Sequence, residues 1–325
     1  MMATMDASLP EGTQYARKVS LLLTDGETAL DLSAMHFRFH TSQEDEESPN
    51  NCSIRVFNLS KETMRKVQKE YSRVVLQAGY ENGPFGVIFD GTIKQFKIGK
   101  EADAVTTYLD ILAADGDQAY NFGVINKSLS AGQPSSEQIK AAIGAMADMG
   151  VTLGTNMVSG TGGVLPRGKV LFGLARGTIR AYVQSRGATW SIQNGKIQII
   201  PLDGYLPGQA VVLTAKTGLI GRPEQTAEGI KIRALLNPNI TVGGTVKVDN
   251  ASINQTTAAP DVALPAGQSA YNKWAQIQFL ADTSSDGLYR VYVAEYVGDT
   301  RGRDWYVDLI GLTIDPVTNT CKRFG

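Results

Sequence analysis

The chain has 325 residues, enough for two or three domains with separate cores, and its charges nearly cancel to a formal net charge of −1. That balance argues against a protein that grips nucleic acid electrostatically, because neutralising phosphates takes a concentrated cationic excess. With 34 glycines among many Val, Ile and Thr, the composition points to a β-rich chain with many turns.

Residues 1–14 are polar and read as a flexible arm without the basic end and apolar run of a secretory signal. No apolar run is long enough to span a bilayer, so the expectation is a soluble chain made in a cytoplasm. Residues 15–23 read as a first strand, closed by the turn Thr24-Asp25-Gly26. From Met35 the chain alternates, placing Phe37 and Phe39 on one face and His36, Arg38 and His40 on the other. The acidic run Glu44-Asp45-Glu46-Glu47 is either a solvated loop or a contact for a basic surface. Residues 52–59 return to strand composition. Ser60 then stands where its hydroxyl can accept from the first turn of a short helix over 61–67. Strands over 74–80, 87–98 and 104–113 complete a β unit over 15–119, whose edges a closed barrel would hide.

The composition changes after Asp115-Gly116-Asp117. A helix is expected over 135–146, with Ile139, Ala142, Ile143 and Met146 at helical spacing, and a second over 171–185, with Leu174, Ile179, Tyr182 and Val183 inward. A Gly/Thr-rich loop separates them at 154–163. Trp190 to Pro201 spells a hairpin whose Asn194-Gly195 suits a type I′ turn, in which both central residues need φ > 0. Residues 120–205 thus form a small α/β insert.

A second β-rich region runs over 206–325. Arg222-Pro223 reads as a break, 229–236 as a strand, Asn237-Pro238-Asn239 as its end, and 240–242 and 245–248 as further strands around Gly243-Gly244. A loop over 250–270, rich in Ala, Pro and Thr, precedes strands over 275–280, 287–296 and 303–309. Trp274 and Trp305 with Tyr271, Tyr289, Tyr292, Tyr296 and Tyr306 make this last third aromatic, either as core or as an interface.

Reactive constellations are scarce. His36 and His40, the only histidines, lack the Glu of a His-Glu-x-x-His zinc site and sit in a strand pattern; no Gly-x-Ser-x-Gly elbow accompanies them. Residues 163–170 approach a P-loop, but Val170 stands where Ser or Thr would hold magnesium. Glu295, Asp299, Asp304 and Asp308 crowd in sequence, yet Gly298-Asp299-Thr300-Arg301-Gly302 reads as a turn with an Asp/Arg pair, not as half of a glycosidase site. Cys52 and Cys321 form no metal pattern; free thiols are expected, with a single disulfide left open. No catalytic, cofactor or metal residue is assigned. The residues singled out are structural turns or interface positions, Asp299, Arg301, Trp305, Trp190, Asn194, Gly195, Asn237 and Pro238, together with the loop Glu44, Asp45, Glu46 and Glu47.

The order of several motifs is familiar. Gly218-Leu219-Ile220-Gly221-Arg222-Pro223, Gly229, Leu235-Leu236-Asn237-Pro238-Asn239-Ile240 and Gly243-Gly244-Thr245-Val246 resemble the third region of phage baseplate hub proteins. Tyr289-Arg290-Val291-Tyr292-Val293 followed by Gly298 to Trp305 resembles that family's last hairpin, and Trp190 to Gly195 its middle region. Many relatives carry His near the position of Tyr296. The resemblance covers about residues 120–310. It implies a mainly β protein with two tube-like β-barrels flanking the α/β insert. It further implies a homotrimer in the virion tail that joins a hexameric tail tube to a trimeric spike, assembled in the bacterial host cytoplasm. Tube, spike, tape measure and other baseplate proteins would be its partners, with DNA passing through non-specifically and no membrane involved. An acidic lumen formed by Glu44 to Glu47 would then repel passing phosphates. The other classes left open are a tail-tip peptidoglycan hydrolase and a carbohydrate- or receptor-binding β protein.

Overall fold

The computed structural model describes residues 14–158, 163–226, 229–248, 287–315, 318 and 320–321. The first part holds β1 (Arg17–Thr24), β2 (Ala29–Asp31), β3 (Phe37–Glu44), β4 (Asn51–Phe57), α1 (Lys61–Glu70), β5 (Arg73–Tyr80), β6 (Phe85–Lys100) and β7 (Thr107–Ala114). Then come α2 (Asp117–Phe122), β8 (Val124–Leu129), α3 (Glu137–Ala147), β9 (Thr152–Asn156), β10 (Lys169–Leu174), α4 (Ala175–Gln184), β11 (Ala188–Gln193) and β12 (Lys196–Pro201). The last part holds β13 (Val211–Leu213), β14 (Leu219–Thr226), β15 (Gly229–Leu235), β16 (Thr245–Val248), β17 (Leu288–Asp299) and β18 (Trp305–Thr313).

The chain is mainly β, as composition and pattern foretell. Its two β-rich parts share one 13-stranded sheet in the order β14-β15-β18-β17-β3-β4-β7-β6-β5-β1-β2, with β13 and β16 branching at β17. The seam is the antiparallel pair β3–β17, in register from Arg38 opposite Asp299 to Glu44 opposite Val293. Alternation decides which face is buried: in β3, Phe37, Phe39, Thr41 and Gln43 point inward while Arg38 and His40 are exposed. One apolar cluster runs under both parts, from Leu21, Phe37 and Phe89 to Ile232, Tyr296 and Val307. The Asn237-Pro238 turn reinforces the join. Asn237 Oδ1 accepts the Asn239 N–H at 3.0 Å, and buried Pro238 lies where a Cβ on Gly86 of β6 would come within 3.4 Å.

The insert has its own core of Ile139, Met146, Ile179, Tyr182, Trp190, Ile197 and neighbours. Its helices cover a three-stranded sheet in the order β11-β12-β9, beside the two-stranded ribbon β8–β10. Local signals account for much of this. Ser60 Oγ caps α1 by accepting the Thr63 N–H at 3.0 Å. Asn194 and Gly195 take φ of 52° and 74° between β11 and β12, as a type I′ turn requires.

Three local expectations need correction. The helix expected over 171–185 begins only at Ala175, because 169–174 pairs with β8, and Leu174 faces outward. Arg222-Pro223 does not break the chain: β14 runs through it with a register shift between Ile220 and Glu224. This strand ends the sheet, where a residue without N–H removes no ladder bond from a second neighbour. Residues 240–242 form turns, with the Ile240 N–H donating to Asn237 O at 3.1 Å and Gly244 N–H to Thr241 O at 3.0 Å. The N-terminal arm, the middle of the Gly/Thr loop, the 250–270 loop, the strand expected over 275–280, and Tyr271 and Trp274 lie outside the described residues.

Candidate functional site

The outward face of the shared sheet carries the most ordered chemistry in the molecule. Cross-strand register lines up Lys97, Asp110, Arg55, Arg38 and Asp299 in one row across β6, β7, β4, β3 and β17. The next row is Gln95, Leu112, Ser53, His40, Val297 and Tyr306. A third sets Ser42, Glu295, Asp308 and Arg233 side by side. Between the rows lies a depression of about 620 Å³ lined by Arg38, His40, Arg55, Lys97, Leu112 and Val297 among others.

Three arginines repeat one arrangement on this face. Arg55 makes two bonds to the Asp110 carboxylate at 2.6 and 2.9 Å and lies 3.9 Å from the Tyr108 ring centroid. Arg233 grips Asp308 at 2.6 and 2.7 Å over Tyr306 at 4.3 Å. Arg38 bonds Asp299 at 2.8 Å over Phe57 at 5.2 Å. Each guanidinium is thus paired with a carboxylate and backed by a ring, so its charge is compensated within the face. Asp299 also accepts from the backbone N–H groups of Arg301 and Gly302, at 2.9 and 2.7 Å, and meets His36 Nε2 at 2.9 Å. Burial alone would raise its pKa; the Arg301 N–H, the Arg38 and His36 side chains and the Gly302 N–H outweigh that and hold it at about 2. The turn is therefore charge-satisfied, but the guanidinium comes from Arg38 on β3, and Arg301 supplies only its N–H.

The acidic run departs from a solvated loop. Glu44 ends β3 and Glu46 is exposed, but Asp45 is buried and ion-paired with buried Arg290 of β17. Arg290 also donates to Gly204 O at 2.6 Å, where the chain leaves the insert. Glu47 pairs with Arg180 of α4. Gln193 Nε2 donates to Glu44 O at 2.9 Å, and Asn50 Nδ2 to Ile192 O at 2.9 Å. The basic surface met by this loop belongs to its own chain, and the loop is the joint of both β parts with the insert. Asp115 completes it: its carboxylate accepts the Gly195 N–H at 2.8 Å, docking the type I′ turn onto the first β part. Burial pushes the Asp115 pKa up to about 7 against the pull of the Gly195 and Asn194 N–H groups. Neither Arg290 nor Asp115 stands out in sequence as a joint residue. Asp115 could be read only as a boundary, and the partner of Arg290 lies 245 positions away.

Trp305 is buried in the shared core, edge-on to Phe39 at 5.6 Å, with the Arg17 guanidinium 5.3 Å from its ring centroid. Trp190 is buried in the insert against Tyr120 at 6.2 Å. Tyr296 is buried and donates its hydroxyl to Ile240 O. Both tryptophans thus serve cores. His36 stacks on Phe57 at 4.5 Å and His40 faces Glu295 at 3.8 Å. Among the described residues no three metal-ligating side chains cluster. The P-loop-like stretch leads into strand β10 instead of a helix, and Lys169 Nζ is bonded to Gln138 Oε1 at 2.6 Å. Cys52 and Cys321 are both buried and free. No described helix is long and apolar enough to cross a membrane.

A broad antiparallel sheet joining two β parts, with a small α/β insert clamped at the joint, is the fold of phage tail proteins. It is similar to the prophage MuSo2 43 kDa tail protein from Shewanella oneidensis, at 8% identity and TM-score 0.54 over 95% of this chain and 99% of that one. It is also similar to the tail protein from Neisseria meningitidis MC58, at 9% identity and TM-score 0.54 over 91% and 96%. A chain of the Francisella PdpA-VgrG complex matches at 8% identity and TM-score 0.54 over 96% of this chain and 60% of that one. A comparison with curated proteins gives no match. The sequence model of the family described as Baseplate hub gp41 matches residues 18–259, and the chain belongs to that family.

Proposed function

We propose that this baseplate hub protein is a structural homotrimer that joins a hexameric tail tube to a trimeric spike. The two β parts act as two tube-like barrels per subunit, so three subunits present six similar units to the tube. The observation that carries the reading is the shared sheet, whose seam at β3–β17 fuses both parts into one surface with a single buried side. Its outward face, and not the acidic run, is the wall we assign to the channel for tape measure protein and DNA. Arg38, Arg55 and Arg233 are each held by a carboxylate there. Paired guanidinium groups offer a passing polyanion little to bind, since phosphate affinity rises with every free cation engaged, and exposed Lys97 is the cation of that row outside these pairs. Ordered in this way, Asp110, Asp299 and Asp308 hold arginines in place, which favours a non-enzymatic role.

Sedimentation of the purified chain tests the first part: the expected species has three times the 34.9 kDa of one subunit. A monomer or dimer at every concentration sinks the reading. The wall assignment is tested with Ser53→Cys, labelled in the assembled tail by a maleimide too large to enter the channel. Protection is expected, and full labelling would place the face outside.

A further inference from the structure

Exposed apolar side chains gather at one place in the insert. In the β8–β10 ribbon, Val124 pairs with Leu174, Asn126 with Phe172 and Ser128 with Val170. The inner row, Ile125, Leu129 and Leu171, is buried in the insert core. Strand alternation should make the outer row polar, yet Val170 is 71% and Phe172 79% exposed, with Val124 and Phe122 beside them also exposed. A ribbon apolar on both faces with one face bare marks a contact surface.

The surrounding sequence narrows the chemistry that meets it. No Asp or Glu occurs over 118–136, which holds β8, or over 149–202, which holds β10. Lys127, Arg167 and Lys169 are exposed there, and among the described residues none of them forms an ion pair. Lys169 is bonded to the neutral amide of Gln138. Glu137 lies in the field of Lys127 but is held by Lys140 at 2.7 Å. Lys127 and Lys169 have the parity of the inner row, so they border the outer row without interrupting it. An apolar centre inside a charged rim is the anatomy of a protein interface, and the rim selects the sign of its partner. Asn126, opposite Phe172 in the middle of the row, sorts protein from lipid. Once covered, its amide needs a hydrogen-bonding group, which acyl chains lack.

A second copy of this chain fits poorly. Among its other exposed apolar side chains, Ile98 and Val105 share the β6–β7 turn with Lys97 and Lys100. Val212 stands opposite exposed Lys247, and Leu153 of β9 lies beside Lys196 of β12. Each would bring cations to cations.

We propose that the outer row of the β8–β10 ribbon docks a different protein, through a segment with apolar side chains at its centre and Asp or Glu around them. Neither the trimer nor the channel assignment is assumed.

The test replaces Phe172 with p-benzoylphenylalanine in the full chain, irradiates the assembled tail and maps the adduct by mass spectrometry. The expected adduct lies in another protein, in a segment where carboxylates outnumber Lys and Arg. Lys127→Glu combined with Arg167→Glu is expected to cut the yield per incorporated copy about tenfold with an unchanged circular dichroism spectrum. Replacing the mapped carboxylates by Lys is expected to restore it. An adduct within this chain or to a second copy, an adduct to lipid, or one to a segment richer in Lys and Arg overturns the contact, as does irradiation without any adduct. Unchanged yield after charge reversal overturns it as well, because the partner's carboxylates would then play no part. A chain that gives the expected adduct without forming a trimer upholds the contact and removes the trimer reading alone.

Discussion

The outward face of the shared sheet and the outer row of the β8–β10 ribbon are both exposed β surfaces, but they are built on opposite terms. On the sheet, Arg38, Arg55 and Arg233 each find a carboxylate, and rings lie beneath them. On the ribbon, Val170 and Phe172 lie bare beside the exposed Lys127, Arg167 and Lys169. The three guanidinium groups of the first surface are compensated by their own chain; the apolar side chains of the second are left facing solvent. The comparison separates what holds one subunit together from what is left open on its surface, and it can be broken at six positions.

The largest effect is expected at the joint between the two regions. Removing the Asp45 carboxylate strands a buried guanidinium on Arg290, and Asp45→Ala should lower unfolding stability by about 3–5 kcal/mol. Chemical denaturation checks this, and a loss under about 1 kcal/mol would mean that water reaches Arg290. Next comes Trp305→Ala, which empties the shared core beneath the sheet face beside Phe39 and costs about 3–5 kcal/mol by lost burial and cavity. Its counterpart Trp190→Ala should unfold the insert first, visible as early loss of hydrogen-exchange protection in α3 and α4 while β3 and β17 stay protected. Simultaneous loss would show that the two cores unfold as one.

How much of this was legible follows from where each signal resides. Alternation at Phe37 to His40, the Ser60 cap and the Asn194-Gly195 turn are local, and the fold obeys them. The row Lys97, Asp110, Arg55, Arg38, Asp299 is visible only once five strands are in register, because its members come from distant parts of the chain. Arg290 sits near a register shift between Val291 and Val293 that disrupts simple alternation, so its burial had no period-two signal. The ribbon was hidden for the reverse reason: the apolar residues at 171–174 read as the start of a helix and 163–170 as a loop.

A smaller effect concerns pH, and two aspartates split it between the regions. Asp115, at the insert joint, has its pKa raised from 3.8 to about 7. The folded state therefore holds this proton more tightly, and the Asp115 contribution to stability falls as pH rises through that window. Asp299, on the sheet face, is lowered from 3.8 to about 2; its contribution is present above the ordinary carboxylate range and fades as pH drops toward 2. Asp115→Asn should flatten the stability profile between pH 4 and 7 without altering the acid limb, while Asp299→Asn should alter the acid limb alone. Denaturation midpoints across pH separate the two, and a single profile shared by both variants would dissolve the distinction.

The smallest effect on the isolated subunit is expected where the surface looks least finished. Phe172→Ser removes a ring whose outward face meets solvent, so little burial is lost, and the change in unfolding stability should stay within about 0.5 kcal/mol. A residue that stabilised its own fold would be missed at once, as Trp305 would be. One held ready for another chain is missed only in assembly. Unfolding measured well below the assembly concentration isolates the first quantity. If Phe172→Ser lowers stability there by more than about 1 kcal/mol, the ribbon is already covered by its own chain, and the contrast between a self-satisfied sheet and an open insert disappears.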